Sequence, residues 1–259
     1  MKIKTFLLAV FLLFLFGYST SGNEWNDHKC QHFIIYHKGV PLDFVLSVEK
    51  SAEQYYMEIT ENLGFTRYKG WHWDDRAKIY IYNDAQDYVQ SGNQAGWSHG
   101  VASPQSKEIR TFPSAHGFFD STLPHELGHI IFREFIGFNA QIPTWFEEGV
   151  AMYQEKAKRW GAHDSVRTAM ADETFKPLGE LSLVQLKYKS TTDVVNLFYA
   201  ESASIVNFLI QEYGQQRFVR LCRKLKDGDP FEWALSSIYV RFKNIDDLNA
   251  EWMKYLKHE

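Results

Sequence analysis

Two histidines and a glutamate near the middle of the chain have the spacing of a metal site. His125, Glu126 and His129 form the pattern H-E-x-x-H. On a helix, residues four apart lie on one face, so both imidazoles can reach a single metal ion and Glu126 lies beside it. Zinc suits this pair because it has no redox chemistry and binds neutral imidazole nitrogen. The pattern therefore predicts a zinc (Zn2+) site in which Glu126 is free to act on water.

A zinc site of this kind needs a third protein ligand and leaves a fourth position open for water. The best candidate is Glu148, which follows His129 after a gap of eighteen residues. Glu147 is the alternative ligand. Because adjacent helical residues point about 100° apart, only one of the two glutamates can face the histidines. The expected chemistry is hydrolysis, in which Glu126 takes a proton from water and passes it to the leaving group.

The residues around both halves of the site predict two helices. Ser121 or Thr122 can cap the first helix. Pro124 falls in its first turn, where a missing N–H is tolerated, and Gly137 is a natural end. Pro143 opens the second helix. Apolar residues at helical spacing predict that both helices are partly buried, so the histidines are expected in a largely apolar setting.

The sequence HELGH, followed by PTWFEEGVAMY, resembles the gluzincin branch of the zinc metallopeptidases. The eighteen-residue gap is similar to that of the aminopeptidase gluzincins, whereas the later segments are more similar to the small MA-like peptidase domains of exported bacterial proteins. The resemblance covers roughly residues 31–215, and residues 125–153 carry it most sharply. It implies that His125, His129 and Glu148 bind zinc and that Glu126 is the catalytic base.

The resemblance also bears on specificity and on a further catalytic group. The chain has no G-x-M-E-N segment, which in the aminopeptidases recognises the free amine of the substrate, so an endopeptidase is expected. MA-like peptidases carry a tyrosine after the third ligand, which implies that Tyr199 stabilises the anionic intermediate. Packing is the alternative role for Tyr199. His163 is the alternative donor, in residues 161–177, a polar stretch expected to be rich in loops.

Hydrophobic periodicity predicts an α+β fold, and the resemblance implies a zincin-like one. We expect a small N-terminal mixed sheet with helices in about residues 31–138, including the active-site helix, and an all-helical lobe in about residues 139–259. Both lobes would belong to one peptidase domain, residues 23–259. Outside the site itself, strands are predicted at residues 31–37 and 77–82, a loop and strand at 96–112, and helices at 42–63, 85–90, 193–213, 216–225, 230–238 and 245–258.

Two stretches before the predicted zinc helix bear on ligand binding. Residues 96–112 are similar in position to the gluzincin strand that borders the active site and pairs with the substrate backbone. An ordinary hairpin is the alternative interpretation. Trp71, Trp73 and Trp97 form either an aromatic surface for peptide or sugar or a part of the core.

The first residues predict the compartment. Lys2 and Lys4 precede an apolar run of thirteen residues, 5–17, and small polar residues follow at 19–22. This order is typical of a cleaved signal peptide, here residues 1–22, and predicts a secreted or periplasmic protein with no permanent membrane span. A membrane anchor is the alternative, although an anchor needs about twenty apolar residues.

Composition narrows the classes of partner. The net charge is −4 and the chain has no basic run, so a nucleic-acid partner is not expected. In an exported protein the two cysteines, Cys30 and Cys222, either pair or remain free. The expected partner is a peptide or protein substrate. The alternatives are a non-catalytic exported binding protein that retains the fold and a zinc hydrolase that acts on a non-peptide amide.

Overall fold

A small mixed sheet followed by a large group of helices makes up the chain, which confirms the predicted α+β fold. The computed structural model describes residues 24–65, 70–92, 99–115, 117–184, 186 and 190–258, with residues 157–160 described by their backbone alone. The predicted signal peptide and Trp97 lie outside the described residues. Within the described part, every element after the last strand is helical.

The strands and the helices alternate only in the N-terminal part. The described strands are β1 (Asn26–Lys29), β2 (Phe33–His37), β3 (Ala77–Ile81), β4 (Gly100–Ser103) and β5 (Glu108–Thr111). The described α-helices are α1 (Leu42–Asn62), α2 (Ala85–Gln90), α3 (Leu123–Ile136), α4 (Thr144–Met152), α5 (Lys156–Ala171), α6 (Leu178–Leu181), α7 (Thr192–Tyr213), α8 (Gln215–Lys226), α9 (Phe231–Ile238) and α10 (Ile245–His258).

The sheet has the strand order β1-β2-β3-β5-β4. Its three inner strands pair in parallel, and β1 and β4 pair antiparallel at the two edges. In β3 the side chains of Ala77, Ile79 and Ile81 are buried and alternate with partly exposed ones, as expected for a half-buried strand. The sequence did not predict β1, because its residues NDHK are polar and mostly exposed at the sheet edge.

The helix that carries H-E-x-x-H lies at the centre of the fold. Helix α3 packs against α1, which also contacts β2 of the sheet, and against α4 and α8 on the C-terminal side. Helix α4 in turn packs against α7, and α5 packs against α7 as well. The two halves of the predicted zinc site therefore come from adjacent helices.

Two glycines allow this close helix packing. A Cβ atom on Gly149 would lie 2.2 Å from the carbonyl oxygen of Ser202, so α4 and α7 approach at backbone distance. A Cβ atom on Gly128 would lie 3.1 Å from the Cα atom of Ala151, between α3 and α4. The glycine inside the predicted zinc helix thus has a packing reason, because it lets the helix with Glu148 lie close to α3.

The start of α3 differs from the prediction, whereas its end agrees. Thr122 makes no capping hydrogen bond with its side chain, because a π-helical turn, Phe118–Thr122, runs directly into the helix. The hydroxyl of Ser121 is also no cap, since it donates to Glu155. Gly137, at φ 90°, ends α3 as predicted, and Pro143 precedes α4.

The prediction of a loop-rich passage over residues 161–177 is wrong for most of its length. Helix α5 continues to Ala171 and packs against α7. Its buried side chains are mainly small ones and a histidine, so the apolar periodicity is weak: Ala162, His163, Val166 and Ala169. Contacts with α7 stabilise a helix that its own sequence barely predicts.

The burial of individual side chains decides between alternatives that the sequence left open for the tryptophans and the cysteines. Trp71 is buried and its indole N–H donates to Glu134 at 2.6 Å, whereas Trp73 is 81% exposed. The two tryptophans therefore do not form one surface.

Cys30 and Cys222 are buried free thiols, and burial raises the pKa of Cys30 to about 12. Among the described residues, no helix is both long enough and apolar enough to cross a membrane.

Candidate active site

Three potential ligand atoms converge between α3 and α4. The Nε2 atoms of His125 and His129 are 3.1 Å apart. The Oε2 atom of Glu148 lies 3.5 Å from the first nitrogen and 3.4 Å from the second. These residues form the one group of three metal-ligating side chains found in the described part of the chain.

The spacing of these three atoms fits zinc. Ligand atoms at 2.0–2.1 Å from a tetrahedral ion are about 3.3–3.4 Å from each other. The three separations at this site, 3.1, 3.4 and 3.5 Å, lie close to that value. In addition, Oε2 of Glu148 is buried and has no hydrogen-bond partner among the described residues. A buried carboxylate oxygen without a donor is costly unless a cation or proton satisfies it.

Glu147, the alternative ligand, faces a different partner. Its carboxylate accepts two hydrogen bonds from the guanidinium of Arg133, and the donor Nε of Arg133 lies 2.6 Å from Oε1. Arg133 also donates to the carbonyl oxygen of Ala140 at 2.9 Å. The nearer imidazole nitrogen, Nδ1 of His129, is 3.9 Å from Glu147. Of the two glutamates, only Glu148 points toward both Nε2 atoms.

A second carboxylate, that of Glu155, contacts His125 at Nδ1, the ring nitrogen that does not face Glu148. Its Oε1 atom lies 2.9 Å from Nδ1 of His125, and its other oxygen accepts from the hydroxyl of Ser121. Glu155 is only 2% exposed. A carboxylate on Nδ1 fixes the ring orientation and leaves Nε2 unprotonated toward the ligand side. No sequence pattern pointed to Glu155, which lies beyond the end of α4 and directly before α5.

Glu126 lies between the histidines and the edge strand β4. The carboxylate accepts a hydrogen bond from the backbone of Ala102, and a Cβ atom on Gly100 would lie 3.6 Å from its Oε1. Burial raises the pKa of Glu126 above its ordinary value, an effect that the two imidazoles oppose. The residue is therefore a buried carboxylate next to the three converging atoms, with β4 beside it.

The electric field at the site favours a cation. Burial disfavours a charged His125, but the nearby carboxylates of Glu148 and Glu155 outweigh burial and raise its pKa to about 10. The pKa of His129 is also raised, because Glu148 outweighs burial. Burial favours a neutral Glu148, yet the two imidazoles hold its pKa well below the usual range. The same negative field attracts a metal ion, which displaces protons from its ligands.

A cleft of about 620 Å³ opens beside Glu126. It is lined by His99, Gly100 and Thr122 and by residues of α5 and α7. Tyr199 of α7 lines the cleft, and its ring centroid is 6.2 Å from that of His125. Burial, together with the nearby carboxylates, raises the pKa of Tyr199, so the phenol keeps its proton and remains a donor. His99 is a lining residue that the sequence analysis did not single out.

His163, the alternative donor, is engaged elsewhere. It is buried in α5, where Nδ1 lies 2.7 Å from the hydroxyl of Ser204 and Nε2 lies 3.1 Å from the amide nitrogen of Asn207. It is not among the described residues that line the cleft. The expectation that His163 lies in a loop-rich stretch is wrong, because it belongs to α5, which packs against α7.

Comparison with known proteins agrees with this arrangement. The model of the Peptidase MA superfamily matches residues 64–258. The chain belongs to the Peptidase MA superfamily. This confirms the resemblance to the MA-like peptidases, and the protein carries a zincin-like, metallopeptidase-like domain. A comparison with curated protein sequences gave no significant match.

Membership in the Peptidase MA superfamily fits the donor set found between α3 and α4. Proteins of this superfamily are generally zinc-dependent, and the side chains here are two imidazoles and a carboxylate, which zinc binds readily. The matched residues include α3, α4 and α7, and therefore every residue of the candidate site. Peptides are the substrate class that the family implies.

Proposed function

We propose that the protein is a zinc-dependent endopeptidase. His125, His129 and Glu148 would hold the ion, and Glu126 would act as the general base. The observation that carries the proposal is the convergence of two Nε2 atoms and one carboxylate oxygen, 3.1–3.5 Å apart, next to a further buried carboxylate. When bound, zinc supplies Lewis-acid chemistry, since it polarises a carbonyl group and makes a water molecule more acidic.

Glu126 is placed for proton transfer. Its carboxylate lines the cleft beside His125 and is held by the backbone of Ala102. In the proposed reaction it accepts a proton from the attacking water and delivers that proton to the leaving amine, so that one residue serves both steps. The helical pattern explains this placement, because Glu126 follows the first histidine by one residue and precedes the second by three.

Tyr199 is the proposed donor to the anionic intermediate. Its phenol keeps its proton, as argued above, and the residue lies in the cleft beside His125. A protonated donor next to the reacting carbonyl stabilises the negative charge that develops on oxygen. We expect Tyr199→Phe to lower kcat about 10- to 100-fold with little change in bound zinc. Unchanged kcat would assign Tyr199 to packing.

The position of β4 supports an extended peptide as substrate. β4 is the last strand in the order of the described sheet, where it pairs with β5. It lies beside Glu126, so an extended peptide aligned along β4 would pass the candidate base. A peptide held this way continues in both directions from the cleaved bond. This supports internal cleavage rather than removal of a terminal residue.

The proposal is tested with zinc-loaded protein and quenched peptide substrates. We expect the wild type to cleave and Glu126→Gln to lose about 10²- to 10⁴-fold in kcat while it retains one zinc per chain. The matched control is Glu147→Gln, which changes a neighbouring glutamate that contacts Arg133. Zinc-loaded wild-type protein without activity on any peptide or protein would favour a binding protein instead. Cleavage of non-peptide amides alone would change the substrate class.

We further propose that the protein is exported after removal of residues 1–22. The basic start, the apolar run and the small polar residues that follow it support this proposal. N-terminal sequencing of the protein recovered from an expressing bacterium tests it. We expect a new N-terminus near residue 23 in the periplasmic or secreted fraction. An intact N-terminus in the membrane fraction would indicate an anchor.

A further inference from the structure

Helix α8 concentrates positive charge on one exposed surface. Its sequence contains no acidic residue and five cationic ones: Arg217, Arg220, Arg223, Lys224 and Lys226. The apolar residues of α8 are buried against the rest of the fold, so the cationic side chains lie on the outer side of the helix. Apolar residues separate most of these cations in the sequence. The charge therefore becomes concentrated only when the helix forms, because residues three or four apart then share one side.

The surroundings of α8 differ in charge from the rest of the protein. Residues 215–243 contain seven lysines and arginines and three acidic residues, a net charge of +4. The whole chain has a net charge of −4, so the remaining residues carry −8. Arg241 adds to the same surface, because it lies near Tyr213, which packs against Tyr239 close to Arg217. An acidic protein thus carries one basic region at its surface.

Most of the cations on α8 have no carboxylate partner. Lys224 pairs with Asp229 at 3.3 Å. Within the described part of the chain, no ion pair involves the other four: Arg217, Arg220, Arg223 and Lys226. Exposed cations without counter-charges in the protein attract an anionic partner, and this attraction weakens as salt is added.

An exposed aromatic side chain lies among these cations. Trp233 of α9 is 52% exposed, and Nζ of Lys224 lies 4.8 Å from the centre of its ring. A soluble polyanion would pair with the cations but would gain little from an exposed indole. A lipid bilayer offers both an anionic headgroup layer and an apolar layer beneath it, and tryptophan is enriched at the level where the two meet. The combination favours a bilayer surface.

We propose that this surface docks the protein on bilayers that contain anionic phospholipids. We define the basic face as the five cations of α8 together with Trp233 of α9. Arg220 and Arg223 would pair with headgroup phosphates, which the planar guanidinium group fits well, and Trp233 would enter the interface. The docking is peripheral and needs no helix that crosses the membrane. It does not depend on the proposed peptidase activity.

The first test measures binding to vesicles by co-sedimentation. The protein is used as recovered from an expressing bacterium, and the vesicles contain phosphatidylcholine alone or with about 30% phosphatidylglycerol. We expect the affinity for the anionic vesicles to be at least about 10-fold higher than for the neutral ones. Raising the salt from about 0.1 M to about 0.5 M should remove most of this difference.

The second test changes the basic face. Arg220→Glu combined with Arg223→Glu should weaken binding to anionic vesicles by about 10-fold or more. The matched control, Lys50→Glu combined with Lys254→Glu, makes the same change in net charge at exposed positions of α1 and α10, and should weaken binding by less than about 3-fold. Trp233→Ala leaves the net charge unchanged and should weaken binding by about 3-fold or more. Melting temperatures show whether each variant is folded.

Each alternative partner gives a different result. Equal affinity of the wild type for neutral and anionic vesicles would overturn the proposal, and so would unchanged binding in the folded Arg220, Arg223 variant. Binding to soluble polyglutamate as tight as to anionic vesicles, unaffected by Trp233→Ala, would assign the face to a polyanion instead. A dimer in solution that the same double variant dissociates would assign it to a second copy of the chain. If the double variant misfolds, the salt dependence of the wild type and Trp233→Ala still decide.

Discussion

Two buried groups of polar side chains in this molecule are centred on histidine, and they differ in how their atoms are satisfied. Around His163, the ring nitrogens face Ser204 and Asn207, and the indole of Trp252 donates to the same serine hydroxyl at 3.0 Å. Around His125 and His129, the Nε2 atoms face each other and Glu148, whose Oε2 has no hydrogen-bond partner among the described residues. The polar atoms of the first group have partners within the protein, whereas Oε2 of Glu148 in the second group does not.

Burial alone does not identify a functional histidine. Both groups are largely buried and both link adjacent helices, α5 with α7 in the first case and α3 with α4 in the second. What distinguishes the site is the direction of its donor atoms, which converge at ligand spacing. We infer that the His163 group contributes to stability and the His125 group to chemistry. The predictions below test this division.

The largest effect is expected in the group around His163, and it is an effect on stability. His163→Ala removes two hydrogen bonds and leaves Asn207 without this partner, so we expect the free energy of unfolding to fall by about 2–4 kcal/mol. Urea denaturation measures this loss. Zinc affinity of the folded variant should stay within about 2-fold of the wild type, since His163 does not face the ligand atoms. A large loss of zinc affinity in the folded variant would show that His163 also supports the metal site.

A smaller effect, on zinc affinity rather than on stability, is expected at Glu155. Glu155→Ala removes the carboxylate that orients His125. We expect zinc affinity to fall about 10- to 100-fold, as for other carboxylates that hold a ligand histidine. Glu155→Gln keeps an acceptor for Nδ1 and should restore part of the affinity, which packing alone would not explain. Zinc titration against a competing chelator measures the affinity of both variants. If both variants bind zinc as tightly as the wild type, Glu155 does not position His125.

The smallest effect concerns a buried carboxylate outside both groups. Glu201 accepts from the backbone N–H of Lys176 at 2.8 Å, while its Oε2 has no partner among the described residues. Burial raises the pKa of Glu201 from 4.5 to about 7, so the folded state holds the proton more tightly than the unfolded state. Its contribution to stability is therefore full below about pH 4.5 and is lost as pH rises through about 7.

Glu201→Gln checks this pH dependence. The amide keeps the acceptor for Lys176 but carries no charge. Between pH 5 and pH 8, we expect the wild type to lose about 1–2 kcal/mol more unfolding free energy than the variant. Urea denaturation at each pH gives the unfolding free energy of the wild type and of the variant as a function of pH. All other titrating groups are the same in both proteins. Parallel curves would show that this carboxylate ionises normally in the folded state.

Local patterns predicted most of the helices, and the structure brings the predicted ligand side chains together. The bounds of α2 and α10 agree with the predicted residues 85–90 and 245–258. The spacing of H-E-x-x-H placed both imidazoles on one face, and the proline before α4 placed Glu148 near them. These features depend on residues close in sequence, where helical geometry fixes relative positions.

Tertiary contacts account for what the sequence did not predict. Glu155 lies beyond the end of α4, and its contact with His125 depends on how the chain turns into α5. Helix α5 gives only a weak apolar periodicity, because its buried residues are mostly small. The sequence favoured Glu148 over Glu147, but the contact of Glu147 with Arg133, fourteen residues earlier on another helix, was not predicted. None of these relations leaves a periodic signal in the sequence.

The zinc content of three purified proteins tests the proposed metal site and its third ligand. We predict about one zinc per chain in the wild type, loss of zinc in Glu148→Ala, and about one zinc per chain in Glu147→Ala. Elemental analysis after dialysis against zinc-buffered solution gives the three values. Loss of zinc in Glu147→Ala with retention in Glu148→Ala would contradict the assigned ligand. A metal-free wild-type protein under these conditions would contradict the zinc site itself.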